Sequence, residues 1–185
     1  MTQAAGRPRA SSRETLAEAA CELFFERGYT ATSVWDIAQR AGVSRSSFFN
    51  YFAGKSDVFW WSFDEQLERL EADLDAAPSV PAALTRLVTR ITPDTLALAL
   101  TNAEVMGAAA EIERDAQVRQ GALAQMLAAS LRQRGQAGLD ADVVAAAYAA
   151  AVLVALREWA RRGAARTNLP EVFREAIARL RRLED

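Results

Sequence analysis

The sequence predicts an all-α fold with a three-helix N-terminal head followed by a larger C-terminal helical bundle. Half of the 185 residues are apolar, while glycine and proline number only nine and five. Such a composition, rich in Ala and Leu, favours packed helices. Apolar residues also recur at helical spacing along most of the chain. The length suits one or two small domains that can bury a substantial core.

The first element is predicted to be a helix from Ser12 or Arg13 to Arg27, which Gly28 ends. Cys21 lies at the margin of its apolar stripe and is interpreted as a small, partly buried filler. The stripe consists of Leu16, Ala20, Leu23 and Phe24.

Residues 33–52, SVWDIAQRAGVSRSSFFNYF, predict two short helices joined by a glycine turn. Ser33 can cap the first helix, with Asp36 three residues later as an imperfect capping box. Gly42 ends that helix and Ser44 caps the second. The gap between them is too short for anything but an angled helix pair. The apolar face of the first helix holds Val34, Ile37, Ala38 and Ala41.

The second helix of this motif has two different sides. Phe48 and Phe52 fall on one side, where two large rings can be buried. The other side offers small or hydrogen-bonding groups, which suits a helix in the DNA major groove. A structural helix pair with a solvated polar face is the alternative. The polar side consists of Ser46, Ser47, Asn50 and Tyr51.

The flanking stretches LAEAACELFFERGYTATSV and AGKSDVF extend this pattern. Over about residues 12–63 the chain resembles the TetR family of transcriptional regulators. The resemblance implies a homodimer, a three-helix DNA-binding head and a divergent body that holds a small-molecule pocket. The FF-x-YF pattern and the aromatic stretch after it are also similar to actinobacterial TetR regulators of the mycofactocin-associated type, some of which respond to acyl-coenzyme A.

The resemblance also implies which residues contact DNA. Ser33 occupies a position that holds a phosphate, and Lys55, the only lysine in the chain, occupies a second one. Phe49 stands where the family commonly has tyrosine, so apolar contact with a thymine methyl group or a sugar replaces a hydrogen bond. Trp35 stands where a polar residue is common; packing against the arm or a wedge role are the alternatives. The positions that approach bases or backbone are Arg45, Ser46, Ser47, Asn50 and Tyr51.

The charge is distributed unevenly along the chain. Residues 1–55 hold seven basic and five acidic side chains, and the remainder holds fifteen and nineteen. This difference weakly favours a head that faces phosphate. Residues 1–11 are predicted to be a flexible basic arm that includes Arg7 and Arg9. Such an arm either enters the minor groove or is a disordered tail.

Composition makes several functions improbable. The chain has no histidine and a single cysteine, which removes the commonest general base and the commonest metal ligands. We therefore expect no enzyme activity, no metal site and no cofactor. No run approaches about 18 apolar residues and no apolar leader opens the chain, so a cytoplasmic protein without a membrane partner is predicted.

Residues 12–56 are predicted to form the DNA-binding domain, 57–76 a connecting helix, and 77–185 the ligand-binding and dimerisation domain. Pro78 and Pro81 mark the last boundary. Body helices are expected at about 80–91, 93–108, 114–134, 141–163 and 170–183. The aromatic run from Phe59 to Phe63 either packs head against body or lines a ligand entrance.

Pocket and interface residues can be nominated in the connecting helix and body. An apolar pocket could involve Trp60, Phe63, Leu87, Met106 and Met126, although core packing is the default for each. An anionic ligand could be met by Arg114, Arg119, Arg132 and Arg134, which are equally compatible with solvated faces. The Ala-rich penultimate helix and the last helix could form a four-helix dimer interface. Its candidate residues are Tyr148, Val152, Trp159, Phe173, Ile177 and Leu180.

Together these patterns predict a dimeric, sequence-specific transcriptional regulator that binds a palindromic DNA operator. A repressor released by a small-molecule effector is the expected form. The alternative is a helical ligand-binding or interaction module with a vestigial head.

Overall fold

A computed structural model describes residues 12–182, apart from the side chains of Ser12 and Arg181. Over this range the protein is all-helical, as predicted. The arm of residues 1–11 and Leu183 of the last predicted helix lie outside the described residues. The helices are α1 (Ser12–Arg27), α2 (Val34–Arg40), α3 (Arg45–Phe49), α4 (Asp57–Ala76), α5 (Val80–Arg90), α6 (Thr95–Asn102), α7 (Ala109–Gln133), α8 (Gly138–Arg161) and α9 (Leu169–Arg181).

Helices α1 to α3 form the head, and their apolar faces meet in one core. The stripe of α1 is buried as predicted, and so are Ile37 of α2, Phe48 of α3 and Phe52 just beyond it. Gly42 between α2 and α3 has φ +69°, a conformation that costs glycine little and other residues more. Cys21 differs from the prediction because it is fully buried in this core, not partly.

Helix α4 runs from the head into the body. Its Phe59 ring lies 5.2 Å from the ring of Phe24 and 6.1 Å from that of Tyr29. Farther along, Asp73 pairs with Arg90 of α5, and Asp64 pairs with Arg119 of α7. The helix therefore contacts both parts of the chain.

Three body helices differ from their predicted bounds. Helix α6 ends at Asn102 instead of continuing to residue 108, and α7 begins at Ala109 instead of residue 114. The break falls around Gly107, whose φ of +63° ends a turn. Helix α7 has Ala108 at its N-cap, without a side-chain hydrogen bond, so no sequence signal marked its start. Helix α8 begins at Gly138, three residues before the predicted start.

Helix α8 is the central helix of the body. Among the described helices, it is the one with the length and apolar composition needed to cross a membrane. It packs against α7, α9 and α6, and its inner side includes the fully buried Leu156 and Trp159. Burial in the body core accounts for the apolar residues on this inner side.

Candidate nucleic-acid interface

The start of α2 is held by a complete capping box between Ser33 and Asp36. The Ser33 hydroxyl accepts a hydrogen bond from the Asp36 amide at 3.2 Å, and the Ser33 amide donates to Asp36 Oδ2 at 2.8 Å. The Ser33 hydroxyl also donates to the Asp36 carboxylate, and these bonds hold the pKa of that carboxyl below its usual value. Both donors of Ser33 are thus engaged, so its predicted phosphate contact requires Asp36 to release them.

Helix α3 presents a polar outer side on an apolar base. Phe48 is fully buried, whereas Arg45, Ser46 and Asn50 are exposed. Ser44 caps the helix by accepting from the Ser47 amide, and its hydroxyl lies 2.8 Å from the hydroxyls of both Ser46 and Ser47. The fixed backbone of α3 therefore displays side chains that can form hydrogen bonds with base edges.

Most arginines described in the head are paired with carboxylates. Arg13 pairs with Glu65, Arg27 with Asp36, and Arg40 with both Glu22 and Glu26. Arg45 has no such partner among the described residues. Its guanidinium carbon lies 5.7 Å from the centre of the Phe49 ring. Arg45 is therefore the head arginine available for a partner outside the protein.

Three exposed aromatic side chains belong to the motif or its end. Trp35 on α2 is 55% exposed, Phe49 on α3 is 48% exposed, and Tyr51 just after α3 is 39% exposed. Tyr51 also lines a crevice of about 290 Å³ between head and α4, together with Arg13 and Trp61. The carboxylates of this crevice are Asp57, Asp64, Glu65 and Glu68. Phe49 and Tyr51 are therefore both exposed, as a contact with DNA would require.

Lys55 lies between the head and the start of α4. Its ammonium donates to the carbonyl oxygens of Tyr29 at 2.6 Å and Thr32 at 2.9 Å. Partial burial lowers the pKa of this ammonium. Two of its three donors are thereby used inside the protein. One donor remains for the phosphate contact predicted from the sequence.

A backbone hydrogen bond joins the head directly to the body. The Tyr29 amide donates to the Met106 carbonyl oxygen at 2.7 Å, in the turn between α6 and α7. This contact could not be predicted from the sequence, because backbone pairing between two loops leaves no pattern in the side chains. It gives the head a fixed reference point on the body.

The nominated pocket residues lie in the body interior. Trp60, Phe63, Leu87 and Met106 have no solvent exposure, and Met126 is partly buried. None of them lines the head–α4 crevice or the groove of about 480 Å³ between α5 and α9. Their role as pocket residues stays a prediction, and binding there would require the side chains to move.

The nominated anion-binding arginines are mostly engaged. Arg119 forms two hydrogen bonds with the Asp64 carboxylate, at 2.7 and 2.6 Å, and Arg132 pairs with Asp142. Arg134 donates to carbonyl oxygens at the C-terminal end of α4. Arg114 is exposed. In residues 12–182 no group of three His, Cys, Asp or Glu side chains is arranged to hold a metal ion.

Four of the nominated dimer residues are largely buried in the single chain: Val152, Trp159, Phe173 and Ile177. Phe173 and Ile177 still line the groove between α5 and α9, and the role of all four at a dimer interface stays a prediction. Tyr148 and Leu180 are partly buried. The outward side of α8 instead carries an apolar stripe that is exposed at Leu139, Val143 and Val154. The spacings of four and eleven residues between them are helical and could have revealed this stripe, but apolar residues also cover the rest of the helix.

Comparison with known proteins identifies the N-terminal part of the chain. Residues 16–59 match the profile of the family described as "Bacterial regulatory proteins, tetR family". MftR of Mycobacterium tuberculosis H37Rv, named as a candidate regulator of mycofactocin biosynthesis, is 39% identical over 70 residues, which cover 38% of this chain and 35% of that protein. The chain spans about a third of the length of the first curated relatives it matches.

Solved structures share the fold over most of the chain. A candidate TetR-family transcriptional regulator from Syntrophomonas wolfei superposes with a TM-score of 0.62 at 17% identity, covering 93% of this chain and 94% of that one. The FadR regulator of Bacillus subtilis, solved in complex with stearoyl-CoA, gives a TM-score of 0.52 at 20% identity, with 89% and 95% coverage. At 17% and 20% identity these matches show a shared fold, and because they cover most of the chain, the shared fold includes both head and body.

Proposed function

This chain belongs to the TetR family of bacterial regulatory proteins, and from that premise we propose that it is a dimeric, sequence-specific DNA-binding regulator in the cytoplasm. The observation that carries the proposal is α3, where Arg45, Ser46 and Asn50 are exposed above the buried ring of Phe48. A helix of this kind fits the major groove and reads base edges through hydrogen bonds.

The dimer is proposed to form through the outward stripe of α8. Val143 and Val154 are 60% and 53% exposed, and Leu139 is 77% exposed. Ala146 and Ala150 lie between them on the same side, and such small side chains allow close helix approach. An isologous pairing of this stripe would bury the exposed apolar surface of both protomers and present two α3 helices to a palindromic operator.

The effector is proposed to act by changing the distance between the two heads. Helix α4 is fixed to the head through Phe59 and to the body through Asp64 and Asp73. The Tyr29 amide adds a second link, to the carbonyl of Met106. A ligand that favours another arrangement of α4 and the α6–α7 turn would shift the population towards dimers that no longer fit two half-sites. A protein that leaves its operator when such a ligand binds acts as a repressor in the absence of the ligand.

Acyl-coenzyme A is the first effector class to test. FadR of Bacillus subtilis was solved with stearoyl-CoA and has the same fold, although a shared fold alone does not fix the ligand. The test measures whether a series of acyl chain lengths weakens operator binding, with free coenzyme A as the control.

One set of contacts favours the alternative of a helical module with a vestigial head. Ser33 and Arg40 donate hydrogen bonds to carboxylates within the protein, and Arg27 lies 3.7 Å from the Asp36 carboxylate, so these groups are less available to phosphate. The salt dependence of DNA binding separates the two functions. Each phosphate contact releases counterions and adds about −0.9 to the slope of log K against log salt concentration. A vestigial head gives almost no slope.

The decisive experiment is a mobility-shift titration on the DNA upstream of the gene itself, repeated over a salt series with random duplex as competitor. We expect competitor-resistant complexes and a clear salt slope. If that DNA gives no preference, selection from a random duplex library follows. A library that yields no enriched sequence would refute the regulator and leave the helical module.

A further inference from the structure

Arg45 and Phe49 form a cation–π pair on the exposed side of α3. The guanidinium carbon of Arg45 lies 5.7 Å from the Phe49 ring centre, and the two residues are four positions apart on one helix face. The Phe49 ring in turn lies edge-on to Phe48, with 5.5 Å between ring centres and an interplanar angle of 83°. Phe48 is fully buried. The position of the guanidinium is thus linked to the head core through two rings.

This pair differs from the other arginine sites of the described head. Arg13, Arg27 and Arg40 direct their guanidinium groups to carboxylates of the protein. Arg45 lies over an aromatic ring, and its guanidinium pairs with no carboxylate among the described residues. Its five N–H donors therefore stay available while its orientation is restrained. A restrained, unpaired arginine loses less conformational freedom when it binds.

The two side chains suit two different base edges. An arginine donates two hydrogen bonds to O6 and N7 of guanine, the commonest specific contact in the major groove. A phenylalanine has no donor and makes apolar contact with the methyl group of thymine. Neighbouring base pairs are about 3.4 Å apart along the duplex. With the guanidinium carbon of Arg45 only 5.7 Å from the Phe49 ring centre, the two side chains can reach bases of neighbouring pairs.

We propose that Arg45 and Phe49 act as one reading unit, which selects a G·C pair next to a T·A pair in each half-site of the operator. Arg45 contacts the guanine, and Phe49 contacts the thymine methyl group while it positions Arg45. The inference rests on the proposed DNA-binding function and adds the base step that this function recognises.

The first test defines the step and its two chemical groups. The full-length protein is used to select its site from a random duplex library, and binding to the selected site is measured by fluorescence anisotropy. Two modified sites follow, one with deoxyuridine in place of the thymidine and one with a guanine analogue that has carbon in place of N7. We expect about a threefold loss for the missing methyl group and about a tenfold loss for the missing acceptor.

The second test separates contact from positioning. In Phe49→Ala the deoxyuridine site should bind as well as the thymidine site, and the loss caused by the guanine analogue should shrink. Phe49→Leu keeps an apolar group but no aromatic face, so it should retain the methyl effect and still weaken the guanine effect. Phe25→Ala, which removes another exposed ring from α1, should leave both effects unchanged. Circular dichroism confirms that each variant is folded.

Three results would overturn different parts of the proposal. An equal loss on the guanine analogue in wild type and both Phe49 variants would overturn the positioning role. A selected site without adjacent G·C and T·A pairs would overturn the reading unit while leaving a DNA-binding regulator. The absence of any selected site would overturn the regulator itself, and this inference with it.

Discussion

The ammonium group of Lys55 lies 4.0 Å from the centre of the Tyr29 ring, and it donates a hydrogen bond to the Tyr29 carbonyl oxygen. One lysine thus holds the turn between α1 and α2 against the start of α4. Tyr29 also contacts the body through its amide. The pair therefore lies where head, connecting helix and body meet.

Replacing Lys55 by methionine should lower the free energy of unfolding by about 1–3 kcal/mol, because two carbonyl groups lose a charged donor. Urea denaturation measures this change. Arg69→Met, which removes an exposed cation farther along α4, is the matched control and should be nearly neutral. If Lys55→Met were equally neutral, the two carbonyl hydrogen bonds would contribute nothing to stability. Should the third donor also contact phosphate, the salt slope of DNA binding will fall by about 0.9.

Charging the outward stripe of α8 should prevent dimerisation. In a dimer of Val154→Glu, each new carboxylate would face either the same carboxylate of the partner or apolar surface. Removing that charge from water is costly. Light scattering after size exclusion should give a monomer. Val105→Glu serves as the control, since Val105 is 70% exposed in the turn between α6 and α7. A Val154→Glu protein that remains dimeric would place the interface elsewhere.

Changes at Asn50 and Tyr51 should affect DNA binding in different ways. Asn50→Ala should cost about 1–3 kcal/mol on the specific site and relax the preference at one base pair. Tyr51→Phe, which removes only the hydroxyl group, should weaken specific and random duplexes alike. Competition binding on both duplexes measures the difference. Equal losses for both variants on both duplexes would contradict these assignments.

Cys21 should be chemically inert in the folded protein. Its side chain is 3% exposed, and burial, with help from Asp94, raises the pKa of the thiol to about 12. The reactive thiolate is therefore almost absent at neutral pH. Iodoacetamide at pH about 8 should leave the native protein unmodified and alkylate it fully in denaturant, as mass spectrometry will measure. Alkylation within minutes without denaturant would show that α1 opens locally.

Asp94 should make stability depend on pH. Its carboxylate caps α6 by accepting from the Leu96 amide at 3.0 Å, and burial raises its pKa. A raised folded-state pKa means that stability falls as the pH rises from the unfolded pKa of about 3.9 through the folded pKa. Asp94→Asn keeps an acceptor at the cap and removes this titration.

The asparagine variant should therefore gain stability over wild type as the pH is raised, up to a few degrees in Tm near neutral pH. Thermal unfolding at a series of pH values measures the difference, with the exposed Asp75→Asn as the control. A wild type that is more stable than Asp94→Asn at neutral pH would mean that charge at the helix N-terminus outweighs the cost of burial.

The head could be predicted from sequence because its signals are local. The cap at Ser33, the turn at Gly42 and the buried Phe48 each depend on neighbours within a few residues. The body offered fewer such signals. Helix α7 starts in a run of alanines without a capping side chain, so its first turn had no marker.

The α8 stripe that we propose as the dimer face could not be predicted for a different reason. Helix α8 is apolar on almost every side, so periodicity does not distinguish Val152, which is buried, from Val154, which is exposed. That choice is made by where α7 and α9 pack. In the same way, the sequence indicates a cation at position 55 but not the carbonyl groups of Tyr29 and Thr32 that surround it.

The arginine pairing in the head has a consequence for how the protein would search a genome. Over residues 12–55 five basic side chains balance five acidic ones, and Arg13, Arg27 and Arg40 are already paired. Little electrostatic attraction then holds this part of the head to DNA of arbitrary sequence. We expect this part of the head to add little to residence or sliding on non-operator DNA, so that finding the operator depends more on repeated encounters from solution.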